Sequence, residues 1–348
     1  MKKIGFITLM AMLPLMGFCQ EDIHIDVGNA RLDLMGYGLS TYTVEDNGGE
    51  KTNGFKVEKI ILMANARITP KLDFFLMVDA ASQDTKKILH EYWGQYKFDD
   101  AFVVKFGQYK MPFTIENPMS PTSVGNIYFH DAMRYMVGVA GDPVYGNLVG
   151  RDFGLTVSGS AFPAKDGHKQ LTYYAGVFNG SGMNQADNNT QKDIILRADY
   201  NPTKNITLST SAYLGTGHAI ADDPYGHFKE GDDYKRQRWA AGVEANTDPL
   251  YLRSEYIRGW NDGTPMHGVY AEAWLRLFKL PKKQNLDVVL DYEFFDKNIF
   301  ISDATRNYTA GLQWWFHKQC RISSLFQLKD PIEGSITRRW VTQLQLRF

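Results

Sequence analysis

Val341-Thr342-Gln343-Leu344-Gln345-Leu346-Arg347-Phe348 alternates residue by residue. In an extended strand, successive side chains point to opposite faces. Trp340, Thr342, Leu344, Leu346 and Phe348 then share one face, and Arg339, Val341, Gln343, Gln345 and Arg347 share the other. The first face is largely apolar and ends on an aromatic ring; the second is wet. An edge strand of a soluble sandwich makes the same pattern. A transmembrane barrel demands it of its closing strand, which meets lipid outside, water inside and an aromatic girdle at the rim.

The same alternation recurs upstream. Leu286, Val288, Leu290, Tyr292 and Phe294 alternate with Asp287, Asp291 and Glu293; Ile60, Leu62, Ala64, Ala66 and Ile68 alternate with Lys59, Asn65 and Arg67. Sixteen strands are predicted: Arg31–Thr43, Phe55–Ile68, one from Leu72, one from about Ile88, Ala101–Tyr109, one from Arg151, Leu171–Phe178, Ile194–Asn201, Ile206–Leu214, Arg236–Asn246, Leu250–Arg258, Gly268–Phe278, Asn285–Phe295, Thr305–Phe316, Cys320–Lys329 and Thr337–Phe348. Connections after even strands read as short turns, such as Thr69–Lys71 and Asp99–Asp100, with Gly159–Gln170 longer. Those after odd strands read as longer polar loops: Glu45–Gly54, Lys110–Gly150, Asn179–Asp193, Gly215–Lys235 and Gly259–His267. Short periplasmic turns and long external loops produce this parity in a barrel. Greek-key connections do not.

Composition agrees. Mean hydropathy is −0.34, yet 14% of residues are aromatic, with 19 Tyr and 21 Phe. Only every second strand residue of a membrane barrel meets lipid, so both features coexist. Lys2 and Lys3 precede the apolar run Ile4 to Phe18, and Gly17 and Cys19 suit a cut before Gln20. Residues 1–19 are expected to be a secretory signal peptide, and 20–348 a single barrel domain. Taking 19 residues from 348 leaves 329, with 36 basic and 39 acidic residues, a formal charge of −3. That balance carries no nucleic-acid footprint. With Cys19 gone, only Cys320 would remain, and no intrachain disulfide could form.

Three short motifs add a resemblance. Gly107-Gln108-Tyr109-Lys110-Met111-Pro112-Phe113 with Glu116-Asn117, then Gly150-Arg151-Asp152-Phe153-Gly154, then Val177-Phe178-Asn179-Gly180-Ser181-Gly182 occur in the order and spacing of the phosphate-selective porin O and P family. The resemblance covers most of the mature chain at the level of strand order. It implies a 16-stranded antiparallel transmembrane β-barrel, a homotrimer, whose long third loop folds into the lumen. The ending likewise resembles the signal that outer-membrane barrels present to the barrel assembly machinery, which makes Trp340, Leu344, Leu346 and Phe348 the candidate assembly residues. One departure stands out. An acidic residue followed by Arg is expected in the middle of the third loop, but the chain reads Phe129-His130-Asp131-Ala132-Met133-Arg134, which puts Arg134 two residues late.

A pore selects by its narrowest diameter and its lining charges. The wetter strand faces carry Lys105, Arg197, Arg253, Arg321 and Arg347, balanced by as many acids, among them Glu255, Glu272, Asp291 and Glu293. Selectivity is therefore expected in a constriction formed by 110–150, with Lys110, His130 and Arg134 opposed by Glu116 and Asp131. Each of these residues is also suited to anchoring the loop as an ion pair. The apolar members Ile127, Tyr128, Met133, Tyr135 and Met136 are expected to pack on the inner wall. The eight His residues are scattered without metal-ligand spacing, and no nucleophile motif accompanies His130-Asp131, so no cofactor and no enzyme activity are expected. The reading is a diffusion porin of a Gram-negative outer membrane, reached by Sec export. It would sit in outer-membrane lipid and pass small hydrophilic solutes, with a mild preference for anions such as phosphate. The alternative is a barrel serving adhesion or secretion.

Overall fold

The computed structural model describes residues 23–28, 30–142, 149–281 and 284–348. The expected leader, the cut before Gln20 and residues 143–148 of the long loop lie outside the described residues. The strands are β1 (Ile23–Val27), β2 (Ala30–Asp46), β3 (Lys51–Thr69), β4 (Leu72–Asp79), β5 (Leu89–Lys97), β6 (Val103–Lys110), β7 (Arg151–Pro163), β8 (Lys169–Phe178) and β9 (Asp193–Thr203). They continue as β10 (Ile206–His218), β11 (Asp233–Asn246), β12 (Leu250–Asn261), β13 (Thr264–Leu280), β14 (Gln284–Asp296), β15 (Ala304–His317), β16 (Cys320–Pro331) and β17 (Thr337–Arg347). One short helix, α1 (Asp131–Met136), lies between β6 and β7.

From β2 onward each strand pairs antiparallel with the next, and β17 returns to β2 from Arg338↔Asp46 to Arg347↔Tyr37. Sixteen strands therefore close into a barrel with no free edge. Burial is inverted relative to a soluble protein. On β14, Leu290 is 56% exposed on the outer face, while Val289 and the carboxylates Asp291 and Glu293 are buried inside. The outer wall is the apolar surface, and the packed core lies within the barrel.

The expected lengths of the connections need correction at three places, the last of which strengthens the parity. The stretch Glu45–Gly54 is mostly strand, because β2 and β3 pair out to Asp46↔Lys51. The connection Gly259–His267 shrinks to a two-residue turn between Asn261↔Thr264. The turn after β7 is likewise shorter than expected, since pairing runs to Pro163↔Lys169. A ladder needs only backbone partners, so hairpins continue into polar sequence after the lipid-facing alternation ends. The extra strand β1 pairs with the start of β2, from Ile23↔Leu34 to Val27↔Ala30. Cys320 is buried at the start of β16.

The seam closes on Phe348. Its N–H donates to the Gly36 carbonyl and its carbonyl accepts from the Gly36 N–H, both at 3.0 Å. A Cβ on Gly36 would lie 2.7 Å from the Phe348 ring and 2.8 Å from the Ile61 carbonyl oxygen, so a larger residue there would force the seam to shift. Trp340 and Leu346 stand exposed on the outer face of the same strand. Deleting Phe348 leaves both Gly36 groups unpaired. The expected result is severalfold less heat-modifiable, folded barrel on gel electrophoresis, with unchanged conductance in the barrels that do form. Full assembly with altered conductance would contradict this.

Candidate functional site

A hairpin between β6 and β7 needs few residues, because Lys110 and Arg151 are already register partners. The chain instead inserts 111–150. Asn117 ties the ends of this loop together by donating to the Met111 and Gly150 carbonyls at 2.8 and 2.9 Å. Gly150 has φ +65°, and a Cβ there would strike the Asn117 side chain at 2.1 Å.

Between these ends the segment is irregular, so its backbone donors need acceptors that no ladder supplies. Inward carboxylates and hydroxyls of the far wall supply them. Thr114 N–H donates to Ser211 on β10 at 3.1 Å and Ile115 N–H to Glu255 on β12 at 2.8 Å. Gly125 and Asn126 N–H donate to the two oxygens of Glu272 on β13, at 3.1 and 2.9 Å. Ala132 N–H donates to Glu293 on β14 at 2.8 Å. Arg347 on β17 reaches Thr122 at 3.5 Å. The segment thus touches walls on opposite sides of the barrel.

Its apolar side chains pack on inward residues. Met133, Tyr135 and Met136 of α1 cluster with Ile195, Tyr213, Ala240, Ile257, Met266 and Phe295. Ile127 packs with Val289, Leu325 and Val341. Ile195, Ala240, Ile257, Val289, Leu325 and Val341 are 0% exposed. Inward positions that open water would wet are covered instead.

A charged cluster without solvent exposure holds the centre. Glu116 accepts from the His130 N–H at 3.1 Å and pairs with His130 Nδ1 at 3.0 Å. His130 Nε2 meets Asp291 at 2.6 Å, and the imidazole stacks on Tyr270 with centroids 3.7 Å apart. Arg253 Nη2 bridges Glu116 at 3.3 Å and Glu272 at 3.1 Å. Burial pushes the His130 pKa down, but the Glu116 and Asp291 carboxylates outweigh it and hold the imidazolium well above its ordinary 6.5. Burial likewise pushes Glu116 up, yet His130 and Arg253 bring its pKa below its ordinary value. His130, Glu272 and Asp291 lie close enough to share a metal ion. The Arg253 guanidinium and the loop amides already occupy Glu272, so the trio is built as ion pairs.

Two cavities flank this layer. One of about 460 Å³ faces the short turns and is lined by Lys105, Tyr109, Lys110, Tyr174, Arg197 and Glu244. The other, about 530 Å³, faces the long loops and is lined by Asp131, Arg134, Glu293, Lys329 and Arg339.

The structure divides the residues expected at a constriction. Asp131 and Arg134 pair at 3.1 Å on the loop-side cavity, and Lys329 joins Asp131 at 2.8 Å. Glu116 and His130 are buried anchors, with His130 at the floor of the same cavity. Lys110 Nζ donates to the Met119 carbonyl. Among the basic residues expected to line the pore, Lys105 lies over the Trp93 ring at 3.7 Å and Arg197 pairs with Asp199 at 2.8 Å; both border the turn-side cavity. Arg253 and Arg321 face inward but meet no solvent, because the loop covers the first and Gln313 and Trp315 hold the second. Sequence reasoning found the wall carboxylates, but not that they bind loop amides. It also missed α1, whose six residues are too few for a helical period to show.

No family model matches the chain, and no curated protein matches it. Solved structures do. An anion-selective porin from Comamonas acidovorans superposes with a TM-score of 0.65 at 13% identity, over 92% of this chain and 100% of that one. OmpF of Salmonella typhi gives 0.62 at 12%, over 94% and 100%. The outer membrane channel DcaP of Acinetobacter baumannii gives 0.61 at 10%, over 93% and 99%. The fold is that of the outer-membrane porins. At these identities the likeness is one of fold alone, and the motifs shared with the phosphate-selective family remain a resemblance.

Proposed function

We propose that the protein is a diffusion channel of a Gram-negative outer membrane, exported with residues 1–19 as its leader and passing only small hydrophilic solutes. One observation carries this reading: a closed wall with an apolar exterior encloses a loop tied to opposite sides of the lumen, with a polar cavity on each face of that loop. A sixteen-stranded barrel is wide enough for an aqueous channel. In this reading 110–150 is the constriction and narrows that channel. Trimeric assembly follows the porin analogy. Planar-bilayer recording tests the channel: small, ohmic conductance steps support it, and their absence from a folded, inserted barrel would sink it.

We assign a mild anion preference to Arg134 alone, which lines the loop-side cavity where Lys56, Lys329 and Arg339 are balanced by Glu45, Glu58, Asp131, Asp291 and Glu293. The anion-selective neighbour makes such a preference compatible with the fold. In Arg134→Ala, Asp131 keeps Lys329 as its partner, so the loop stays docked and only local charge changes. The cation-to-anion permeability ratio is expected to rise about twofold at low salt, where screening is weak. Arg134→Lys should restore most of the charge effect but no bidentate oxyanion contact. An unchanged reversal potential in Arg134→Ala would remove Arg134 from the filter.

A further inference from the structure

No residue lines both cavities, so a partition stands between the turn-side and loop-side spaces. Part of it runs Met119–Arg253–Glu116–His130, from the lining of the first cavity to the lining of the second. Glu116 and Arg253 are 0% exposed. Parting this chain would leave buried charges without partners, which is strongly unfavourable. A solute crossing there would have to undock the loop.

Another part of the partition is a single side-chain contact. Lys110 lines the turn-side cavity and Phe129 the loop-side cavity, and the Lys110 ammonium lies over the Phe129 ring, 5.2 Å from its centroid. Both residues are only half-buried. Phe129 stands in a span fixed at each end, by Asn126 on Glu272 and by His130 on Glu116. Between these anchors Tyr128 and Phe129 make no backbone hydrogen bond among the described residues. The ring otherwise leans on the apolar cluster around α1. Swinging it off Lys110 breaks no ion pair and strands no donor, because the Lys110 ammonium keeps its bond to the Met119 carbonyl. A cation–π contact is weak beside a buried ion pair. The partition therefore has a rigid part and a part that a side-chain rotation opens.

We propose that Phe129 is the gate of this channel: its ring closes on Lys110 at rest, and the gap left when it swings aside sets the largest solute that crosses. The inference rests on the channel reading above and adds where the narrowest point lies, between the two cavities rather than beside Arg134. Arg134 then acts on ions waiting in the loop-side cavity, and Phe129 on their passage. Planar-bilayer recording of the whole folded barrel tests this. Phe129→Ala should raise single-channel conductance about twofold and pass larger neutral polymers, and Phe129→Trp should lower it. Tryptic cleavage at Arg134 should stay at the wild-type rate, which separates an opened gate from an undocked loop. Should Phe129→Ala loosen the loop, Phe129→Cys gives a second measurement. A bulky methanethiosulfonate reagent added on the long-loop side should cut its current by at least about half. The wild type, whose Cys320 is buried, should not respond. A conducting wild type matched in conductance by Phe129→Ala, or a Phe129→Cys current that the reagent leaves unchanged, overturns the inference and leaves the channel standing. A folded, inserted barrel silent in both wild type and Phe129→Ala overturns the channel reading itself.

Discussion

Replacing residues 112–149 by a short glycine-rich turn is expected to raise single-channel conductance at least about threefold and to admit larger solutes. The hairpin survives the change, because Lys110 and Arg151 stay paired without the loop. What changes is the lumen. Ile195, Ile257, Val289, Leu325 and Val341, now 0% exposed, would line a water-filled passage. The wall carboxylates Glu255, Glu272 and Glu293 lose their loop amides but regain water, so the barrel should still fold. Planar-bilayer conductance and the exclusion of neutral polymers of graded size measure the result. Unchanged conductance in a properly folded barrel would mean that the limiting diameter lies elsewhere.

Arg253→Met is expected to have the second-largest effect. It leaves Glu116 and Glu272 side by side, buried and without the guanidinium that now sits between them. Removing one partner of a buried ion pair costs about 3–5 kcal/mol, mostly the penalty of the charge left behind. The wall ladder does not depend on this side chain, so the cost falls on loop docking. The loop should come free for part of the time, giving noisy, enlarged conductance steps and faster tryptic cleavage at Arg134. Arg253→Lys should recover part of the protection. Identical proteolysis and identical current traces in Arg253→Met would show that the cluster does not hold the loop.

The same cluster sets a pH window. The raised His130 pKa contributes stability that is fully present below the ordinary 6.5 and is lost as pH rises through the folded value. The lowered Glu116 pKa contributes stability present above the ordinary 4.5 and lost as pH falls through its folded value. Loop docking is therefore strongest between these limits. Tryptic cleavage at Arg134 should accelerate at alkaline pH, and His130→Phe should abolish that alkaline limb.

The alternation of Leu286 to Phe294 and of Trp340 to Phe348 was enough to establish strands, their two faces and an inside-out barrel. That information is local, because side-chain direction in a strand depends only on parity. Closure of β17 onto β2 was legible for the same reason: sixteen such strands need a partner for the last. The exchange between Phe348 and Gly36 was not, because register at the seam depends on where fifteen preceding pairings end. The long loop announced itself by length, and Met133, Tyr135 and Met136 by their need for cover. Its docking did not show. Glu255, Glu272 and Asp291 alternate along their strands in the same way whether they face open water or a loop amide more than a hundred residues away. Parity assigns a residue to a face; only the folded chain decides what stands opposite it. For that reason the sequence leaves Glu116 and His130 open between filter charges and loop-anchoring pairs, and Arg253 between a lining charge and a cross-strand pair, and in the structure they are the buried anchor of the loop.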